Sequence, residues 1–460
     1  MAEETDKQPE LSRDLTLFQV TMMGVGMMIG AGVFVATGIA IGVSGPGGVL
    51  IAFILNGLLA FFSSMTYAEL ASAIPKAGGG YTYINEAFGG IIGFMGGWLS
   101  WFGHAISGSL YAITFAKYSS LLLEGINFFE KFSLNQNLFM RVTAVIIALV
   151  FVFINYKGSS ETGNTSVYIT LGKLSVLGLI GVAGIRAAFL QPDNFSNFSP
   201  FLPKGWGKIL VTMGFTYIAF EGYEVIAQAG EETVNPKKNI PKAIFYSLVI
   251  VVSIYVIIAF ATIIGVETGE IAVWKWFEQE GTTGFANAVK HLLPYGGIMV
   301  SVAALLSSTS ALNATTYSST RVAYAMGKNG SLPKKISKIS KNSKTPHIAL
   351  LLSSIIIVLV AATLPVEDVA AGADIMFLLI FMFVNLAVFK IRKEQGNELN
   401  YGYLMPYFPF VPIVAIIMQF ILSIRLFDLS IIAWVTSGIW IGLGLLMYFI
   451  FQDKDEAKVN

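Results

Sequence analysis

Three groups of residues in this chain have the types and spacing to do chemistry inside an apolar protein. The first is Ala219-Phe220-Glu221-Gly222-Tyr223-Glu224, where two carboxyl groups flank a glycine in the middle of a hydrophobic run. Acidic residues at such a depth are expensive unless they face a cavity, a partner or an exchangeable proton. At a spacing of three they share a face only while the helix is continuous, so unwinding at Gly222 would separate their duties and leave either as a candidate proton acceptor. Neutral, hydrogen-bonded packing is the competing role. The second group is Gly24-Val25-Gly26-Met27-Met28-Ile29-Gly30-Ala31-Gly32. Gly26 and Gly30 have the spacing of close helix packing; alternatively, glycine lets the helix unwind near Gly30 and frees backbone N–H groups for a carboxylate and carbonyls for an ammonium group. No soluble strand precedes the cluster, as a nucleotide-binding loop would require. The third is Lys173, a lone cation within Tyr168-Ile169-Thr170-Leu171-Gly172-Lys173-Leu174. It either snorkels to the headgroups from about seven residues, roughly 10 Å, inside its helix, or replaces a metal ion between helices and exchanges a proton. Ser307 and Ser308 are hydroxyl donors that could join such a site or bond to their own backbone.

The elements that must hold these groups are membrane helices. Of 460 residues, 55% are hydrophobic and only 12% charged. A bilayer core takes about 20 apolar residues per helix. Apolar runs lie near 17–43, 48–73, 89–118, 138–155, 166–189 and 207–230, then 242–264, 294–322, 346–363, 368–389, 406–426 and 430–450, which predicts twelve transmembrane helices in one all-α domain. With the N-terminus inside, the inner segments carry 19 Lys and Arg against 8 outside. That bias predicts a multi-pass cell-membrane protein with both termini, 1–16 and 451–460, cytoplasmic. The acidic start lacks a signal-peptide pattern. A net charge of +1 gives no reason to expect nucleic acid, and the absence of Cys excludes disulfides and thiolate chemistry. The stretch around 265–293, with Trp274, Trp276 and Phe277, reads as an interfacial aromatic belt or short surface helix. Asn56, Trp101, His104 and Asn313 are either pocket-lining or helix-contact groups.

Three segments carry a resemblance: MIGAGVF at 28–34, YIAFEGYEVIAQAGEETVNPKKNIPKAI at 217–244, and SSTSALNATTYSSTRVAYAMGKNGSLPKKISK followed by Thr345-Pro346. On these the chain resembles the amino acid, polyamine and organocation transporter superfamily, in its cationic amino acid transporter-like branch. The likeness covers nearly all of residues 12–450. It implies two inverted five-helix repeats, about 17–190 and 207–390, within a single transporter domain at 17–450, with discontinuous first and sixth helices and two further helices at 406–450. It also implies a substrate carboxylate near the amides of Ala31 and Gly32 and an amino group near carbonyls around Met28, Ile218 and Glu221. The implied substrate-binding set is Met28, Ile29, Gly30, Ala31, Gly32, Ile218, Phe220, Glu221 and Gly222. Lys173, in the position of the lysine of proton-coupled relatives, and Glu224 are the implied proton-coupling residues, with Ser307 and Ser308 in support. Two positions depart from the pattern: Ala31 stands where many relatives have Ser or Thr, and Glu221 where many have an apolar residue.

The expectation is a non-enzymatic secondary amino acid transporter, working by alternating access and driven by protons, with no cofactor, no metal and no obligate protein partner. An amino acid exchanger, a polyamine permease and a membrane amino acid sensor are the alternatives. Inner motifs Glu231-Glu232, Asn235-Pro236 and Ile240-Pro241 are expected to shape a gate, and Arg321 to anchor the inner end of its helix.

Overall fold

The computed structural model describes residues 10–30, 32–124, 127–423 and 431–456; Ala31, the first nine residues and the last four lie outside this set. The described chain is all-α. In order, apart from a single helical turn at Phe128–Lys131, the helices are α1 (Leu17–Met28), α2 (Gly32–Ala73), α3 (Gly80–Phe88), α4 (Gly90–Glu124), α5 (Gln136–Lys157) and α6 (Ser159–Leu190). They continue as α7 (Trp206–Thr216), α8 (Tyr223–Gln228), α9 (Pro236–Gly265), α10 (Val273–Glu280), α11 (Gly284–Leu292) and α12 (Gly296–Lys328). The last four are α13 (His347–Thr363), α14 (Val366–Gln395), α15 (Phe410–Ser423) and α16 (Ile431–Glu456). Among the described residues, seven spans are long and apolar enough to cross a membrane: α5, α6, α9, α12 and the main parts of α2, α14 and α16. With the shorter apolar helices α1, α13 and α15, this is a multi-span membrane protein.

Local sequence explains where the functional helices start and stop. Thr16 caps α1, its hydroxyl accepting from the Gln19 amide while Gln19 reaches back to the Thr16 N–H, a reciprocal capping box. The helix ends because Ile29 turns out of helical geometry (φ −81°, ψ 65°) before Gly30. Downstream, Gly45 at φ 82° kinks α2 just before Pro46, where no residue with a side chain would sit comfortably. The sixth hydrophobic run also breaks: α7 ends at Thr216, a 3₁₀ turn covers Tyr217–Phe220, and α8 resumes at Tyr223.

Packing puts both breaks at the centre. α1 lies against α6, α9 and α12; α4 runs along α12 and α14; and α8 touches α1, α2, α9 and α12. At one end the chain before α1 is tied to the chain after α8: Leu15 donates to Glu232 O at 2.9 Å, and Val234 donates back to Leu15 O at 2.9 Å. At the other end, the stretch read as an interfacial aromatic belt or short surface helix is helical and does more than lie on a surface. α10 and α11 pack on α2 so closely that a Cβ on Gly38 would meet Phe285 N at 3.0 Å and one on Gly42 would meet Glu278 N at 3.1 Å.

Candidate substrate and coupling site

The two helix breaks meet. A Cβ on Gly222 would lie 2.6 Å from Gly24 O and 3.0 Å from Met28 N, so only glycine allows the second break to approach the first. One hydroxyl spans them: Tyr255 donates its proton to Met28 O (2.5 Å), and Ala219 O lies 3.1 Å from the same oxygen. Gly30 faces the Tyr111 ring, which a Cβ there would meet at 2.7 Å. The Met28 carbonyl, expected beside a substrate ammonium, also accepts from the Gly30 amide at 2.9 Å. Glu221 O accepts the Glu224 N–H at 3.4 Å. Phe220 is buried with its ring edge-on to Tyr255.

Lys173 does not snorkel. Its helix begins at Ser159, seven residues before the hydrophobic run, so the lysine sits 14 residues, about 21 Å, from that end. The side chain is fully buried, and its ammonium donates to Gly26 O and Ile29 O, each at 2.7 Å. These are carbonyls freed where α1 ends. A buried ammonium therefore caps the break. Thr170, one turn away, lies 3.2 Å from Met22 O and 3.0 Å from Ser310 Oγ, which brings α12 to the same point of α1. Of the two serines expected to help, Ser308 donates to Ala304 O of its own helix at 2.8 Å, whereas the buried Ser307 hydroxyl has no hydrogen-bond partner.

The two carboxyl groups flanking Gly222 have different surroundings. Glu221 is 1% exposed with both oxygens unpartnered, and it lies within electrostatic reach of Asp374 on α14 and of Glu224. Glu224, on the first turn of α8, is fully buried in a polar cluster. Its Oε1 accepts from Ser100 Oγ at 3.1 Å and from Gln228 Nε2 at 3.4 Å, and its Oε2 lies 4.0 Å from His104 Nε2.

Of the four ambiguous polar residues, three are helix-contact groups. Asn56 donates to Met213 O and Thr216, Trp101 to Ser353, and Asn313 to Thr162 O and Ser166. His104 alone joins the central cluster. Sequence reading missed Tyr111, Tyr255, Ser310 and Asp374. Only Asp374, an acid eight residues inside an apolar helix, carried a signal of the kind that exposed Glu221.

The Glu231-Glu232 motif is built around a buried ion pair. Glu232 accepts from Arg321 Nε at 2.7 Å and Nη2 at 2.8 Å, with the Tyr317 hydroxyl as a third donor and the guanidinium over the Tyr317 ring. Glu231 beside it pairs with the half-exposed Lys328 at 2.9 Å.

A bundle of apolar helices with two broken members facing each other, glycine-lined and capped by a buried lysine, is an arrangement found in secondary transporters. A family model described as amino acid permease matches residues 15–450. The chain belongs to this amino acid permease family, within the amino acid, polyamine and organocation superfamily. It is 28% identical to a branched-chain amino acid permease of Bacillus subtilis (strain 168), over 99% of this chain and 96% of that one. A methylthioribose transporter of the same organism is 29% identical, over 97% and 95% of the two chains. A serine/threonine exchanger, also from Bacillus subtilis, is 30% identical over 96% and 97%.

Proposed function

We propose that the protein takes up an amino acid by alternating access, coupled to protons, through a substrate site between the two helix breaks. The observation that carries this reading is the Lys173 ammonium on the carbonyls of Gly26 and Ile29. An ion-coupled carrier needs a removable positive charge whose presence favours one state over another. Lysine supplies one that leaves as a proton. With the proton bound, the ammonium holds α6 to the end of α1; once it is lost, those contacts weaken and the first break is free to rearrange. Glu224 and Glu221 divide the remaining work, Glu224 taking part in proton coupling and Glu221 in selecting the substrate side chain.

The architecture we assign to this cycle has twelve transmembrane helices arranged as two inverted five-helix repeats followed by two more, with both termini cytoplasmic in the cell membrane. The segments at 28–34 and 217–244 support the cationic amino acid transporter-like branch. Backbone amides around Ala31 and Gly32 would receive the substrate carboxylate, as helix N-termini favour anions.

Purified protein in liposomes tests the mechanism. Wild type should accumulate labelled amino acid from an imposed pH gradient into empty vesicles, and Lys173→Ala should lose accumulation while still exchanging internal for external substrate. Normal proton-driven accumulation by Lys173→Ala would reject the coupling role. The similarity to a serine/threonine exchanger favours a second reading, obligatory exchange; in that case wild type would take up substrate only into preloaded vesicles. Glu221→Gln should reorder a competition panel of the twenty amino acids and common polyamines.

A further inference from the structure

The cluster around Glu224 contains a titratable group that the proposed cycle has not used. His104 on α4 is fully buried, four residues after Ser100 on the same helix. Its Nδ1 lies 2.8 Å from the Ser100 carbonyl oxygen. A carbonyl can only accept, so Nδ1 carries the hydrogen and Nε2 of the neutral ring presents a lone pair. That lone pair faces α8: Gln228 Nε2 donates to it at 3.3 Å, and Glu224 Oε2 stands 4.0 Å away. Glu224 Oε2 has no hydrogen-bond partner of its own. An acid oxygen without a partner and a ring nitrogen whose lone pair is met only by the Gln228 amide at 3.3 Å thus face each other across the contact between α8 and α4.

We propose that His104 is the second seat of the coupling proton, which passes between Glu224 Oε2 and His104 Nε2. This rests on the reading of Glu224 as a proton carrier and adds its partner. In the transfer, the O–H bond of the Glu224 carboxylic acid breaks and its electron pair stays on the carboxylate. The Nε2 lone pair forms the new N–H bond, and Gln228 withdraws its donor. The product is an imidazolium that donates from Nδ1 to Ser100 O and from Nε2 to Glu224, beside a carboxylate already held by Ser100 Oγ and Gln228. The gap is too long for a direct hydrogen bond and is closed by a side-chain rotation or one bridging water.

The surroundings restrict the alternatives. Around the pair, α14 presents the Phe377 ring edge-on to His104, while Tyr67 from α2 and Tyr83 from α3 lie within electrostatic reach of Glu224 with unpartnered hydroxyls. Glu221, with Asp374 beyond it, is the next acid. Among the described residues no lysine or arginine forms an ion pair with Glu224; the imidazole, 4.0 Å away, is the group placed to offer it a positive charge. A proton on the pair joins α8 to α4 by a charge-assisted contact; without it, the carboxylate and the neutral ring lack a donor between them and the contact loosens.

The chain has three histidines, His104, His291 and His347, so nitrogen-15 histidine labelling in lipid nanodiscs resolves the ring directly. His291 Nδ1 accepts from the Glu267 amide at 3.1 Å, the opposite tautomer. The expected result is an Nδ1–H signal assigned to His104 whose titration moves in Glu224→Gln by about one pH unit or more, a tenfold change in proton affinity. An Nε2–H tautomer, or a titration indifferent to Glu224→Gln, overturns the proposal. In liposomes, His104→Gln keeps an amide but accepts no proton there, and it should flatten the pH dependence of accumulation. If Glu224→Gln flattens that dependence and His104→Gln does not, this proposal fails while the Glu224 reading stands. If neither does, both fail. Where His104→Gln does not insert, the labelled wild type and Glu224→Gln decide.

Discussion

Arg321 and Lys173 are both buried cations on long membrane helices, and they are satisfied in opposite ways. Arg321 meets a carboxylate head-on, through two nitrogens of its planar fork, with an aromatic ring beneath it. Lys173 meets only two backbone carbonyls. Arginine keeps its proton at any physiological pH and, paired with Glu232, forms a neutral unit whose charge is fixed. A lysine held by dipoles alone has no counter-charge securing its proton. The first arrangement suits a lock between α12 and the segment after α8; the second suits the part that the proposed cycle requires to change charge.

The largest effect should come from breaking the lock on one side. Glu232→Gln leaves the guanidinium buried without a partner charge, and one-sided removal of a buried pair costs about 3–5 kcal/mol. The variant should melt well below wild type in detergent. A single cysteine introduced into the Cys-free chain near Thr233 should become more reactive. The double variant Glu232→Gln with Arg321→Met should regain much of the loss. Lys173→Met should cost less, about 1–3 kcal/mol, because it strands two carbonyls but no charge. A larger melting loss for Lys173→Met than for Glu232→Gln would reverse the comparison.

Glycine variants probe the space between the cations. In Gly222→Ala the new methyl would meet Gly24 O at 2.6 Å, and overpacking of this kind costs about 1–3 kcal/mol. Equilibrium substrate binding should weaken accordingly, and Gly30→Leu, aimed at the Tyr111 ring, should weaken it further. Unchanged affinity in a folded Gly30→Leu protein would move the substrate elsewhere. The smallest effect should be at the opposite end, where Lys204 pairs with the exposed Glu278 at 2.7 Å. Lys204→Ala should change stability by less than about 1 kcal/mol and leave transport unaltered.

How much of this was legible in the sequence depends on the range of the interaction. The breaks at Gly30 and Gly222 were readable because glycine and buried acids are local violations of a helical pattern. Lys173 was visible as a lone charge, yet its partners were not: α6 begins seven residues before its hydrophobic run, and only the fold brings Gly26 and Ile29 to the ammonium. Arg321 read as an anchor and Glu232 as part of a gate, while their pairing spans 89 positions with no local pattern to announce it. Tyr255 was illegible for a related reason, since a tyrosine in an apolar helix looks like packing until its hydroxyl meets two freed carbonyls. Even the stretch at 265–293 read as a surface belt because the complementary glycines, Gly38 and Gly42, belong to a different helix.

The Tyr255 hydroxyl, shared between Met28 O and Ala219 O, carries a kinetic consequence. Both interrupted helices are fastened to one rigid side chain on α9, so displacing either one strains the other. They are yoked. A carrier whose two gates relaxed independently would spend part of its time with both ajar and would leak like a channel. In the proposed cycle such yoking would make the rearrangement a single concerted step, so Tyr255→Phe should raise the passive leak of substrate before it lowers the maximal rate of turnover.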